Sequence, residues 1–216
     1  MNKGLQFWLD SWQQGVIPFH KEEVQPDLIA YWPALNVKAH DTVLVPLCGK
    51  SLDMLWLAQQ GVNVVGIEFS EQAVQHFFAE HQLPVQQQYC DGLTRYYTDT
   101  ISIWVGDIFN VSPTLIPQVD AIYDRAALVA LPPGLRSAYV ATCMQWLKPT
   151  GAVLLKTLCY QQDDVQGPPY SVVPAELRSL YEQTSEIRCL KTVARDSRLI
   201  SGQNILIDEY LWCITK

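Results

Sequence analysis

Two residues about twenty positions apart, a glycine and a glutamate, are the ones in this 216-residue chain whose types and spacing suit binding chemistry. Gly49 lies in the turn Pro46-Leu47-Cys48-Gly49-Lys50-Ser51, directly after the apolar run Thr42-Val43-Leu44-Val45. Glu68 ends the next β-branched run, Val64-Val65-Gly66-Ile67. In an open α/β sheet, ligands sit beyond the carboxyl ends of the strands. There a glycine lets the backbone come close, and an acid ending the neighbouring strand takes the ribose hydroxyls. Either feature alone is common, and fold-level analogy carries no activity. Together at this spacing they read as a nucleoside site.

The loop narrows the choice of nucleoside. A dinucleotide fingerprint uses three glycines to bring a helix N-terminus to a pyrophosphate, whereas here Pro46, Leu47, Cys48 and Lys50 surround the single Gly49. Such a loop suits a ligand without phosphates. S-adenosylmethionine, with its ribose, adenine and amino-acid tail, fits it better than NAD does. Two further strand ends carry charge. The run Ile101–Val105 stops at Gly106-Asp107-Ile108, where Asp107 can bond an adenine amino group with Ile108 packed on the ring, or simply cap the next turn. The run from Val119 ends at Asp124-Arg125, either a pocket floor or a surface ion pair. Trp8 and Trp12 stand one helical turn apart and share a face. They read as a stripe packed on the core, or as a lid whose ring faces suit a planar substrate and a sulfonium cation, at ~0.5–2 kcal/mol.

Other reactive residue types carry less. The six cysteines show no C-x-x-C pair and read as buried, reduced thiols, Cys48 included. The four histidines are dispersed, and His76 and His81 have the wrong spacing for a shared helix face, so no metal set is expected. A net charge of −7 without any Lys/Arg cluster argues against nucleic acid or an anionic membrane as partner. No apolar run approaches the ~20 residues of a membrane span, and the N-terminus lacks the apolar core of a signal peptide. A cytoplasmic location is the expectation.

These residues must be held by alternating strands and helices. A helix beginning near Leu5 carries the tryptophans, and Val24–Leu35 reads as a second, amphipathic one. Ser51 caps a helix ending at Gly61, the second strand is Val62–Ile67, and Ser70 caps another helix. Asp91-Gly92 marks a small hairpin between Gln86–Cys90 and Thr94–Tyr97. Further expected elements are a strand from Val119, a helix over 134–146, a strand over Ala152–Leu158 and a helix over Pro174–Glu182. A closing antiparallel hairpin pairs Glu186–Ala194 with Gln203–Thr215 around a loop at Arg195–Gly202. Tyr160–Tyr170 is a long polar loop of the kind that covers active sites. The pattern predicts a doubly wound, mostly parallel seven-stranded α/β sheet in one domain over 1–216, with the aromatics of residues 1–35 open to either reading, core stripe or cover.

The wording of several segments resembles the thiopurine S-methyltransferase family, including its bacterial members. The most specific phrases are Pro46-Leu47-Cys48-Gly49-Lys50, Tyr123-Asp124-Arg125-Ala126-Ala127-Leu128 and Gly167-Pro168-Pro169, with support from Gly66-Ile67-Glu68-Phe69-Ser70 and Gly106-Asp107-Ile108-Phe109. The resemblance runs from about Trp8 to the C-terminus. It implies a Rossmann-like methyltransferase sheet and an N-terminal segment over the cofactor, touched by Trp12 and Trp8. It also implies Phe19 facing the acceptor, Asp107 and Ile108 at the adenine, and Arg125 on the cofactor or the acceptor beside it. The permanent charge of Arg125 suits a carboxylate or an anionic acceptor.

The implied reaction is in-line methyl transfer from S-adenosylmethionine to a soft nucleophile, leaving S-adenosylhomocysteine. Alignment of donor and acceptor supplies several kcal/mol, and aromatic thiols ionise more readily than an aliphatic thiol near pKa 8.5. No single indispensable catalytic residue is therefore expected. Thiopurines and selenium or tellurium compounds are the implied acceptors, and a monomer the implied state. An NAD-dependent oxidoreductase is disfavoured by the loop, and a nucleoside-binding module without turnover is the non-enzymatic alternative.

Overall fold

The structure is a computed structural model, and it describes residues 3–162, 165, 167–200 and 202–216. The chain forms two compact units, one of residues 1–30 with 38–116 and one of residues 31–37 with 117–216.

In the first unit, α1 (Lys3–Gln14) and α2 (Pro26–Tyr31) precede β1 (Thr42–Pro46), α3 (Asp53–Gln59), β2 (Asn63–Glu68) and α4 (Glu71–Glu80). The hairpin β3 (Gln86–Cys90) and β4 (Leu93–Tyr97) and the strand β5 (Ile101–Val105) follow. β1 and β2 are parallel, as are β2 and β5, while β4 runs antiparallel to β5 and β3 to β4. Every residue of β1 after Thr42, and every residue of β2 after Asn63, is buried. Parallel strands covered on both faces must read as continuous apolar runs, which is how these two stood out in the sequence. The hairpin turns on Asp91 (φ 50°) and Gly92 (φ 81°), the left-handed pair a tight two-residue hairpin needs. It joins the sheet edge through β4, adding two strands to the expected seven.

The second unit contains β6 (Val119–Arg125), α5 (Pro133–Trp146), β7 (Leu147–Cys159), α6 (Pro174–Leu180), β8 (Glu186–Ile200) and β9 (Gln203–Thr215). β6 and β7 are parallel, β9 runs antiparallel to β7, and β8 runs antiparallel to β9. Residues 31–37 belong here, with the Cys213 thiol donating to the Ala34 carbonyl.

Several boundaries differ from the expectations for local reasons. The segment 24–35 is not one helix: α2 ends at Tyr31 and a 3₁₀ turn continues over Trp32–Leu35, with Pro33 early in that turn, where a missing N–H costs least. α3 starts at Asp53 with Leu52 at its N-cap, and Ser51 Oγ accepts the Asp53 amide instead (3.3 Å). The loop expected at Arg195–Gly202 is mostly strand. β8 continues to Ile200 past a register shift between Val193 and Asp196, where Arg195 is left-handed (φ 55°) and its amide donates to Asp208 Oδ1 (2.8 Å). That bulge interrupts the alternation on which strand recognition depends.

Candidate functional site

The Gly49 turn is bonded to the end of β2 at two points. Cys48 N–H donates to the Ile67 carbonyl (3.1 Å), and Gly49 N–H donates to Glu68 Oε2 (2.8 Å). The other carboxylate oxygen, Oε1, accepts Ser70 N–H (2.8 Å), and Ser70 Oγ in turn caps α4 by accepting Ala73 N–H (3.3 Å). Glu68 therefore clamps the loop after β1 to the turn after β2. It is buried, and burial raises its pKa while the Ser70, Gly49 and Phe69 amides pull it back towards the ionised form. With the Gly49 amide on Oε2 and the Ser70 amide on Oε1, each oxygen keeps further lone-pair capacity, so two hydroxyls of a ribose are suitable donors.

Gly49 has φ +52°, and a Cβ there would stand 3.0 Å from the Trp12 ring. Glycine is favoured on both counts, for the backbone angle and for the approach of the indole. Leu47 also lies at positive φ (47°), so the turn holds two left-handed residues with Cys48 between them, a concentration of backbone strain common at ligand sites. The Cys48 thiol is raised well above its ordinary pKa, first by burial and then by the Glu68 carboxylate. It is a packing group, as expected from the sequence. Lys50 is drawn away from the turn by both oxygens of Glu80 on α4 (2.7 and 2.9 Å).

The N-terminal aromatics form one cluster. Trp8 and Trp12 each meet the Phe19 ring edge-on, with centroids 5.1 and 5.5 Å away, and Phe7 packs on Trp8 (5.1 Å). Trp12 is buried, whereas Trp8 and Phe19 are half-buried. Trp12, Gly49 and Glu68 are thus brought together, with Trp8 and Phe19 joined to them through Trp12. The chain leaving the cluster is fastened by a bond no motif signalled: Gln25 N–H donates to Oδ1 of the buried Asp53 on α3 (2.8 Å).

Asp107 caps the 3₁₀ turn Ile108–Asn110, with Oδ1 accepting Phe109 N–H (3.1 Å). One carboxylate oxygen does the capping task foreseen as an alternative. Ile108 is buried and Asp107 half-buried.

In the second unit Arg125 is the last residue of β6 and half-exposed, while Asp124 before it is 1 % exposed. That depth rules out the surface ion pair. Asp124 Oδ2 accepts the Tyr139 hydroxyl (2.7 Å) and Oδ1 accepts Leu128 N–H (3.1 Å). Burial raises its pKa to about 6 against those bonds. The polar loop after β7 is partly outside the described residues, at Asp163, Asp164 and Gln166. Its described remainder docks by Tyr170 N–H on the Val129 carbonyl (2.7 Å) and by the Tyr160 hydroxyl on the Pro169 carbonyl. Among the described residues no three His, Cys, Asp or Glu side chains gather as a metal set.

The sequence pattern of the family Thiopurine S-methyltransferase (TPMT) matches residues 3–209. A thiopurine S-methyltransferase of Legionella pneumophila (strain Paris) is 53% identical over 220 residues, covering 100% of this chain and 100% of that one. Another from Shewanella oneidensis is 42% identical over 214 residues, covering 97% of this chain and 98% of that one. Among solved structures, magnesium protoporphyrin IX methyltransferase from Synechocystis PCC 6803, crystallised with SAM, superposes with a TM-score of 0.66 at 14% identity. It covers 100% of this chain and 99% of that one, a likeness that shows the doubly wound α/β fold. The chain belongs to the thiopurine S-methyltransferase family and is an S-adenosylmethionine-dependent methyltransferase.

Proposed function

We propose that this chain methylates the sulfur of aromatic and heterocyclic thiols, thiopurines among them, and selenium or tellurium compounds of the same soft-nucleophile character. The observation that carries the reading is the buried Glu68 carboxylate, set by the Gly49 and Ser70 amides beside the Trp12 ring. The residues present fit the cofactor. A buried acid with lone pairs to spare suits the two ribose hydroxyls, the side-chain-free Gly49 lets the Trp12 ring close on the turn, and no phosphate-binding cradle is needed.

S-adenosylmethionine, when bound, supplies an activated methyl group on a sulfonium. Glu68 holds the ribose, with Leu47 and Gly49 as the backbone wall beside it. Asp107 has an oxygen left over from its cap for the adenine amino group, and Ile108 is the apolar surface under the ring. Trp12 and Trp8 present aromatic faces towards the cation. Phe19 lines the acceptor side, and Arg125 steers an anionic acceptor such as a thiolate. We assign no general base, because an aromatic thiol reaches its thiolate near neutral pH without one. Cys48, held as a protonated thiol, is not a nucleophile.

The continuous family match over 3–209 supports one working domain across 1–216, with residues 1–35 as its cover. Cys48, Cys143 and Cys213 are buried as expected, whereas Cys90 and Cys159 are half-buried and Cys189 is exposed; six free thiols suit a reducing compartment, in line with a cytoplasmic location, and a monomer is part of the same proposal. No helix among the described residues is long and apolar enough to cross a membrane. The test is incubation of purified protein and S-adenosylmethionine with a panel of thiols, selenols and metalloid oxyanions, with mass detection of products. A methyl group on the sulfur of an aromatic thiol is the expected result. S-adenosylhomocysteine binding with no acceptor methylated would overturn the reading.

A further inference from the structure

We propose that Asp124 is a positioning residue: its carboxylate shapes the turn Arg125–Ala130 and thereby sets both the Arg125 side chain and the Pro168–Tyr170 segment docked on that turn. The inference rests on the reading of Arg125 as the residue that steers an anionic acceptor. The chain doubles back around the carboxylate immediately after Arg125. Ala126 is left-handed (φ 65°), an angle that a residue with a Cβ adopts only when its surroundings impose it. What imposes it is on the far side of the turn: Leu128 N–H bonds Oδ1 at 3.1 Å, the Ala127 amide also faces the carboxylate, and Ala127 and Leu128 are fully buried. From α5 the Tyr139 hydroxyl closes on Oδ2 at 2.7 Å. The turn in turn carries the second segment, because the Val129 carbonyl accepts Tyr170 N–H at 2.7 Å. Tyr170 packs so closely over Gly167 (φ +68°) that a Cβ there would lie 2.6 Å from the ring. One carboxylate thus fixes the start of Arg125's turn and the landing point of the polar loop.

The other titratable groups facing Asp124 are Cys143 of α5 and Tyr181 just after α6, whose pKa values, like that of Tyr139, are raised. These groups are neutral at neutral pH, so they do not offset the charge of the acid. An amide of the same shape would avoid that cost. A charge kept at such a place is explained by the strong acceptor it gives to the turn amides and the tyrosine hydroxyl.

The experiment compares wild type, Asp124→Asn, Tyr139→Phe, Arg125→Ala and Asp124→Asn with Arg125→Ala. It measures methyl transfer to an aromatic thiol, S-adenosylhomocysteine affinity and the pH profile of kcat/KM. Asp124→Asn is expected to raise the acceptor KM at least about fivefold with cofactor affinity changed less than about twofold. Arg125→Ala added to it should cost less than about twofold more, because the side chain has already lost its placement. Tyr139→Phe removes a bond that favours the carboxylate, so the acid limb of kcat/KM should move to higher pH, and this variant keeps the turn amides bonded should the first not fold. A wild-type acceptor KM in Asp124→Asn, multiplicative losses in the double variant, or an unmoved acid limb in Tyr139→Phe would each overturn the inference. A wild-type enzyme that methylates no thiol, or an Arg125→Ala variant with unchanged acceptor KM, marks failure of the acceptor reading itself and takes this inference with it.

Discussion

Burial and hydrogen bonding pull the Glu68 carboxylate in opposite directions, with burial the larger. If Glu68 holds the ribose as proposed, the hydroxyls donate to its ionised oxygens and cofactor affinity depends on the charge. We expect the S-adenosylhomocysteine dissociation constant to be flat at alkaline pH and to weaken as pH falls through the raised Glu68 pKa, with Glu68→Gln abolishing that dependence. Calorimetric titrations from pH 8 down to the acid limit of the folded protein check this. Asp124 gives the opposite-looking trend in stability. Its folded pKa, about 6 against an ordinary 3.8, means that the folded state holds the proton more tightly than the unfolded state. Its contribution is most favourable below about pH 4 and is lost as pH rises through about 6, a swing on the order of 2–3 kcal/mol. Denaturation midpoints of Asp124→Asn should therefore vary less with pH than those of wild type between those values. At Gly49 the backbone angle and the 3.0 Å approach of Trp12 act together. Gly49→Ala should destabilise by about 1–3 kcal/mol and change the tryptophan fluorescence as the indole is displaced.

Local devices hold the elements around the site, and each has a separable cost. Ser70 caps α4 through Oγ while its amide binds Glu68. Ser70→Ala removes only the cap and should cost about 1 kcal/mol, leaving the Glu68 bond and cofactor affinity in place, as urea denaturation with parallel titrations would show. At this scale the sequence was readable wherever burial imposes a simple pattern. β1, β2 and β5 announce themselves as apolar runs, and Asp91-Gly92 as a turn. It was unreadable where a long-range bond overrides local pattern. The left-handed Arg195 amide bonded to Asp208 keeps β8 in pairing through a stretch that looks like a loop. Pro33 turns the end of an apparent helix into a 3₁₀ turn. At the site, the types Gly49, Glu68 and Trp12 were legible because strand ends and helical spacing locate them. The closure of Glu68 on two amides, the anchoring of Gln25 by Asp53 and the burial of Asp124 were not, because each joins residues from different elements.

The chain's two units are stitched from interleaved sequence, residues 31–37 belonging with 117–216. If they act as one methyltransferase domain, calorimetric unfolding should show a single transition. At about a hundredfold excess over its dissociation constant, S-adenosylhomocysteine should stabilise that transition by ~2.7 kcal/mol, or roughly 5–10 °C for a chain of this size. Two transitions, with only one shifted by ligand, would show that the units unfold separately. At the centre of the proposed site Glu68, clamped between the Gly49 turn and Ser70, holds the cofactor's ribose. Isothermal titration of S-adenosylhomocysteine into wild type and Glu68→Ala at pH 8, with folding of both verified by circular dichroism, tests it most directly. One-to-one binding to wild type and an affinity at least about tenfold lower in the variant are expected; equal affinity in two folded proteins would mean that Glu68 does not hold the ribose.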